Sequence, residues 1–269
     1  MTDYLEGRIM DKEVARQTIR LYAKELKTPT FNNYETVINH LGKEDGYKEF
    51  LIRMMKSETE SREIKRKERR VRQARFPFLK TFDELDLERF ENTDSSKLRQ
   101  LASCDFIDRR ENIVLIGNPG TGKTHLSIAL GIKACQRGYK VRFITASDLV
   151  YQMMEARDEK QLTKLTSSLM KADLLIIDEL SYMTLDKYQS ELLFKIISDR
   201  NERKSTIITT NLAFSDWETI FGDKMMVSAM VGRLMFKSHA IDANSTRPYR
   251  DDYSGITADD THSLSDQIS

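Results

Sequence analysis

Residues 117–124 read Gly117-Asn118-Pro119-Gly120-Thr121-Gly122-Lys123-Thr124, and no other stretch of the chain constrains the architecture as strongly. The octapeptide follows a short apolar run, Asn112-Ile-Val-Leu-Ile116. It opens a helical pattern that starts at His125-Leu-Ser-Ile and ends at Gly138. Apolar strand, GxxxxGK[ST] and helix, in that order, is the phosphate-loop arrangement. Its glycines let the backbone wrap a polyphosphate with N–H groups pointing inward. The helix that follows presents its unpaired N–H groups and positive dipole end to the same anion. Lys123 then reaches the β- and γ-phosphates as a point charge, and Thr124 offers a hydroxyl to Mg2+. With His125 at the mouth of the helix, residues 117–125 form the expected ATP-binding segment.

Downstream of the loop, Leu174-Leu-Ile-Ile-Asp178-Glu179 reads as a buried strand that breaks into two carboxylates. Asp178 is expected to hold magnesium and Glu179 to serve as general base for an attacking water. Adjacent residues project from opposite sides of a strand, which divides these roles between the two acids. The pair favours ATP hydrolysis over kinase chemistry, in which a second substrate would be the acceptor. A third polar element, Thr209-Thr210-Asn211, ends the next strand, and Asn211 there can hydrogen-bond the water or the γ-phosphate; as a bland alternative it forms a turn.

Around these motifs, strands at 112–116, 140–145, 172–179 and 205–211 alternate with helices at 125–138, 147–157, 160–171 and 187–203. That alternation predicts an α/β class with a parallel sheet covered by helices on both faces. The amino-terminal portion has no glycine-rich loop and no strand pattern. Helices are expected at 11–27, 33–41 and 46–73, making a small all-helical domain over residues 1–75 whose last helix is a basic linker. In the first helix Val14, Thr18, Leu21, Tyr22 and Leu26 form an apolar face, and Lys12, Arg16, Arg20 and Lys24 an opposing stripe about 18 Å long at ~1.5 Å per residue. The ATPase domain is expected over 76–250, followed by an acidic, disordered tail over 251–269.

Read in order, GNPGTGKTHL, LLIIDEL, DRNERKSTIITTN, FSDWETIFGD, GRL and PYR resemble the IstB/DnaC branch of the AAA+ ATPases, and most closely its IstB-like transposition helpers. The resemblance covers about residues 8–250. It implies an AAA+ core behind a small helical domain, a homo-oligomer assembled on duplex DNA when ATP is bound, and a cognate transposase as partner. Hydrolysis then drives disassembly. By motif it also implies that Arg233 of GRL is the arginine finger acting on a neighbouring subunit and that Arg250 of PYR is a terminal sensor arginine. Guanidinium groups suit both roles, because charge develops on the transferring phosphoryl group; a surface arginine is the competing reading for each. Phe76 and Pro77, at the domain junction, are candidate adenine-side contacts. Pro248 stands where family members commonly have Ser. A replicative helicase loader of the DnaC type is the alternative with the same core.

Charge distribution matters more than its sum. The 269 residues carry 43 Lys+Arg against 42 Asp+Glu, a formal +1, yet residues 62–75 alone hold eight basic and two acidic residues and the final nineteen hold five Asp and no Lys or Arg. Arg66, Lys67, Arg69 and Arg70 of the basic run, with Arg16 and Arg20 of the stripe, are the candidate DNA contacts. With no zinc-ligand set and no convincing helix-turn-helix, binding is expected to be backbone-dominated, salt-sensitive and largely independent of sequence. No apolar run approaches the ~20 residues of a membrane span. Cys104 and Cys135 read as reduced core thiols, which with the lack of a signal-peptide pattern points to a cytoplasmic protein.

Overall fold

The computed structural model describes residues 11–42, 46–181 and 183–244. Arg250, Pro248 and the acidic tail lie outside the described residues. The chain divides into two compact units, one up to Glu68 and one from Arg69.

The first unit is helical: α1 Lys12–Glu25, a 3-10 turn Pro29–Asn33, α2 Tyr34–Asn39 and most of α3 Tyr47–Ala74. Asp11 caps α1 by accepting the Glu13 N–H at 2.7 Å. α3 is tied to the 3-10 turn through Glu58, whose carboxylate accepts from the Thr30 hydroxyl at 2.5 Å and from Arg62 Nε at 2.7 Å. The apolar face of α1 is largely open among the described residues. Only Ala23 of that helix is buried, while Val14, Leu21, Tyr22 and Leu26 are each more than half exposed. Three short elements and one long helix offer too little surface to cover it. The basic stripe is likewise not uniformly free, because Arg16 pairs with Glu35 at 2.7 Å.

The second unit has an all-parallel sheet: β1 Asn112–Ile116, β2 Val141–Thr145, β3 Leu174–Asp178, β4 Ser205–Thr210 and β5 Ser238–Asp242, in the order β2-β3-β4-β1-β5. Helices α4 Ser95–Leu101 and α5 Asp105–Asp108 precede it. α6 Lys123–Arg137, α7 Ala146–Asp158, α8 Leu162–Met170, α9 Lys187–Arg200, α10 Glu218–Phe221 and α11 Lys224–Met235 connect the strands. Both faces are buried, and alternate residues feed two cores. Leu174, Ile176 and Ile207 join Leu126, Leu130, Phe106 and Phe143 on one side. Leu175, Ile177 and Ile208 join Leu149, Leu193, Trp217 and Met230 on the other. At roughly 1.5–3 kcal/mol per fully buried large aliphatic side chain, this double burial explains why β1 and β3 are nearly continuous apolar runs.

Four strands match the expected ones. The fifth, with α4, α5, α10 and α11, was not anticipated. Ser-His-Ala-Ile-Asp is too short and mixed a run to announce itself, and only Ile241 of β5 is buried. Register places the carboxyl ends together: Ile116 lies opposite Thr210 on one side and Asp242 on the other, and Thr145 opposite Asp178. β4, set between β1 and β3, brings Thr209 and Thr210 between the loop strand and the acidic strand.

Candidate nucleotide-binding site

The loop between β1 and α6 is built by its glycines. Gly120 and Gly122 adopt φ of 82° and 92°, a region that side chains disfavour. Gly117 is required for a different reason: a Cβ there would lie 2.8 Å from the Ala243 carbonyl carbon and 2.9 Å from the Asn244 N. The end of β5 therefore braces the start of the loop, and the Asn118 N–H donates to Asn244 Oδ1 at 2.9 Å. α6 opens at Lys123 directly behind Gly122 and closes at Gly138, whose φ of 106° is the left-handed helix stop.

Lys123 is buried, and its Nζ donates at 2.6 Å to the carbonyls of both Gly117 and Asn118. The Thr124 hydroxyl donates at 3.0 Å to each oxygen of Asp178, joining two residues 54 positions apart in sequence. Burial raises the Asp178 carboxyl above its ordinary value, against hydrogen bonds from Thr209 and Thr124 that lower it. Among the described residues no group of three or more His, Cys, Asp or Glu could hold a metal by itself. One carboxylate beside one hydroxyl instead fits Mg2+, which usually takes few protein ligands and completes its shell with phosphates and water.

Glu179 departs from the expected strand geometry. β3 ends at Asp178, and Glu179 turns out of the sheet with φ of 58°, so the two acids are separated by a backbone turn rather than by alternation within a strand. Glu179 is exposed, while its N–H donates to the Thr209 hydroxyl at 2.8 Å. Thr209 in turn donates to Asp178 Oδ1 at 2.7 Å. Thr210 donates to the Leu180 carbonyl at 2.7 Å, and the Asn211 N–H to Ser181 Oγ at 2.8 Å. The Asn211 side chain makes no hydrogen bond among the described residues and is half-buried. The sequence singles out Thr209-Thr210-Asn211 as a polar element but gives the role to Asn211, and it does not point to Asn244. Thr209 is one of four hydroxyl residues in the buried strand Ser205–Thr210, so its type alone does not set it apart; Asn244 carried no signal without β5.

The remaining candidates are placed as follows. Half-buried His125 faces Thr81, with Nε2 3.3 Å from its carbonyl, and burial holds it below its ordinary value. Phe76 is partly buried, its ring packed edge-on against Phe143 at 6.1 Å beside the core, while Pro77 is exposed. Arg233 is exposed on α11, donating to the Ala229 carbonyl at 3.0 Å with its guanidinium 5.0 Å from the Phe194 ring centre. In the basic run, Arg62 and Lys67 pair with Glu58 and Glu63 at 2.7 Å each. Arg66, Arg69 and Arg70 have no carboxylate partner among the described residues. Cys104 and Cys135 are free and buried, with burial pushing their thiols up to about 11 and about 12. No helix among the described residues is long and apolar enough to cross a membrane.

A parallel sheet in this order, with a phosphate loop after β1 and an acid pair at the end of β3, defines a P-loop NTPase core of the AAA+ type. The chain belongs to the family of IstB-like ATP binding proteins, whose model matches residues 21–252. It is 39% identical over 192 residues to a protein of Geobacillus stearothermophilus named as an ATP-binding protein of insertion sequence IS5376, covering 71% of this chain and 76% of that one. It is 35% identical over 226 residues to one of Pseudomonas aeruginosa named likewise for insertion sequence IS21, covering 83% and 85%. Among solved structures, AMPPCP-bound DnaA from Aquifex aeolicus shares the fold with a TM-score of 0.51 at 20% identity, covering 60% of this chain and 49% of that one.

Proposed function

We propose that this chain is a Mg2+-dependent ATPase that assembles on duplex DNA when ATP is bound, recruits the transposase of its insertion sequence, and disassembles on hydrolysis. The observation that carries the reading is the Thr124–Asp178 pair beside the Lys123 loop, 3.0 Å apart at the carboxyl edge of the sheet. The names of the insertion-sequence relatives support the biological setting.

In this reading the amides of residues 120–124 and Lys123 bind the phosphates, Lys123 exchanging its two loop carbonyls for phosphate oxygens. Thr124 and Asp178 hold Mg2+, which neutralises phosphate charge. Glu179 takes the proton of the attacking water, and Asn211 orients that water or the γ-phosphate. Arg233 stabilises charge in a neighbouring subunit's site, and Arg250 senses the nucleotide from its own. Arg66, Lys67, Arg69, Arg70, Arg16 and Arg20 supply phosphate contacts to DNA.

The test is ATP-dependent assembly of the full chain on plain duplex DNA, followed by sedimentation and electron microscopy. Assembly with ATP, its loss in Lys123→Ala and its persistence in Glu179→Gln are the expected results. A stable complex with a replicative helicase and no duplex binding would establish the loader reading instead.

A further inference from the structure

We propose that Thr209 is a positioning residue for hydrolysis: its hydroxyl fixes the backbone of Glu179 and so aims the carboxylate that takes the proton from water. The proposal rests on Glu179 being the base. A threonine hydroxyl has one hydrogen and two acceptor lone pairs, and here both functions are committed within the acid pair. The hydrogen goes to Asp178 Oδ1 at 2.7 Å, and a lone pair accepts the Glu179 N–H at 2.8 Å. Thr209 is 1% exposed, so water does not substitute for it.

Backbone geometry makes this bond consequential. Ladder pairing between β3 and β4 runs to Ile177–Ile208, and Glu179 lies beyond it in a left-handed conformation that a side chain other than glycine rarely adopts. Such a conformation persists only when its surroundings hold it. The Thr209 hydroxyl holds it from the amino side, and the Leu180 N–H, donating to the Thr209 carbonyl at 2.9 Å, holds it from the other. One residue of β4 therefore grips the peptide on both sides of Glu179. A residue that merely filled the core between β3 and β4 would be replaced without loss by valine, which has the same shape and suits a strand. A positioning residue would not.

The experiment compares steady-state ATP hydrolysis of the full chain with duplex DNA in wild type, Thr209→Val, Thr209→Ser and Glu179→Gln. For Thr209→Val kcat is expected to fall about 10- to 100-fold, the scale of a displaced reacting group. KM for ATP and the Mg2+ concentration for half-maximal rate are expected to stay within about threefold, because loop and hydroxyl ligands are untouched. Thr209→Ser keeps the hydroxyl and should restore kcat to within a few-fold of wild type. Unchanged kcat in Thr209→Val, a serine variant as slow as the valine one, or a defect cured by saturating Mg2+ (action through Asp178) would each overturn the proposal. Glu179→Gln separates the two layers: wild-type turnover there overturns the base assignment itself. Should Thr209→Val fail to fold, amide exchange in wild type decides. The Glu179 N–H is expected to be protected despite its exposed side chain, and exchange at the free-peptide rate would overturn the clamp.

Discussion

The ring of Phe76 occupies the space that a Cβ on Gly131 would need: that atom would lie 2.8 Å from Cε1 and Cζ of the ring and 2.9 Å from Ile176 Cδ1. The glycine in the middle of α6 is thus a notch that receives the Phe76 ring. Helix propensity alone says that Gly131→Ala stabilises by about 1 kcal/mol. Overpacking a rigid core costs about 1–3 kcal/mol, and all three atoms met here belong to well-packed side chains. The packing cost outweighs the propensity gain, so Gly131→Ala is expected to destabilise the ATPase unit by up to about 2 kcal/mol. Thermal unfolding checks this, and a raised Tm would show that the ring moves aside freely.

The reach of sequence reasoning followed the period and polarity of each segment. β1 and β3 are readable because both their faces are buried, which leaves apolar runs such as Leu174–Ile177, and β4 shows its β-branched Thr and Ile residues. Lys123, Thr124 and Asp178 were readable because the chemistry of phosphate and magnesium dictates residue type and spacing. β5 was not, since its single buried side chain leaves no pattern. Nor was Arg200, which is wholly buried and donates to the carbonyls of Leu169 at 2.8 Å and Ser205 at 2.6 Å. Burial lowers it to about 10. A guanidinium satisfied by carbonyls from two segments distant from each other in sequence leaves no trace in local sequence.

Glu58 makes the helical unit sensitive to acid. Burial pushes its carboxyl up, but the Thr30 and Arg62 hydrogen bonds outweigh this and hold it below the ordinary value. A carboxyl depressed in the folded state binds protons more readily when unfolded. Its contribution is therefore present in full above the ordinary carboxylate value and is lost as pH falls through the folded one. Glu58→Gln is expected to cost about 1–3 kcal/mol near neutrality. The gap between wild type and variant should close as pH drops below about 4, the ordinary glutamate value. Helical ellipticity during thermal melts at several pH values measures it, and a gap that widens in acid contradicts the sign.

Arg66, Arg69 and Arg70 lack carboxylate partners among the described residues, unlike Arg62 and Lys67, so their charges are available to phosphate. Changing all three to Gln should weaken duplex binding similarly for unrelated sequences. If each contacts one phosphate, the slope of log affinity against log salt should become shallower by about 3. Fluorescence anisotropy over a range of salt concentrations gives that slope. An unchanged slope would place the DNA surface elsewhere.

Arg233 is held by little: one carbonyl of its own helix at 3.0 Å and the face of Phe194 at 5.0 Å. Contacts of this kind are worth about 0.5–1 kcal/mol, so Arg233→Ala should fold normally. The nucleotide pocket of the same subunit should also be intact, because neither Lys123 nor the Thr124–Asp178 pair bonds to Arg233. If the guanidinium serves a neighbour, Arg233→Ala alone should bind ATP like wild type yet hydrolyse it roughly 1000-fold more slowly. Mixing distinguishes this from a defect within the subunit. Glu179→Gln assembles without the base but with an intact Arg233, and Arg233→Ala keeps the base and lacks the finger, so an assembly of the two contains junctions with both parts present. Turnover should reappear on mixing and peak at intermediate ratios, and silence at every ratio would remove Arg233 from the shared site.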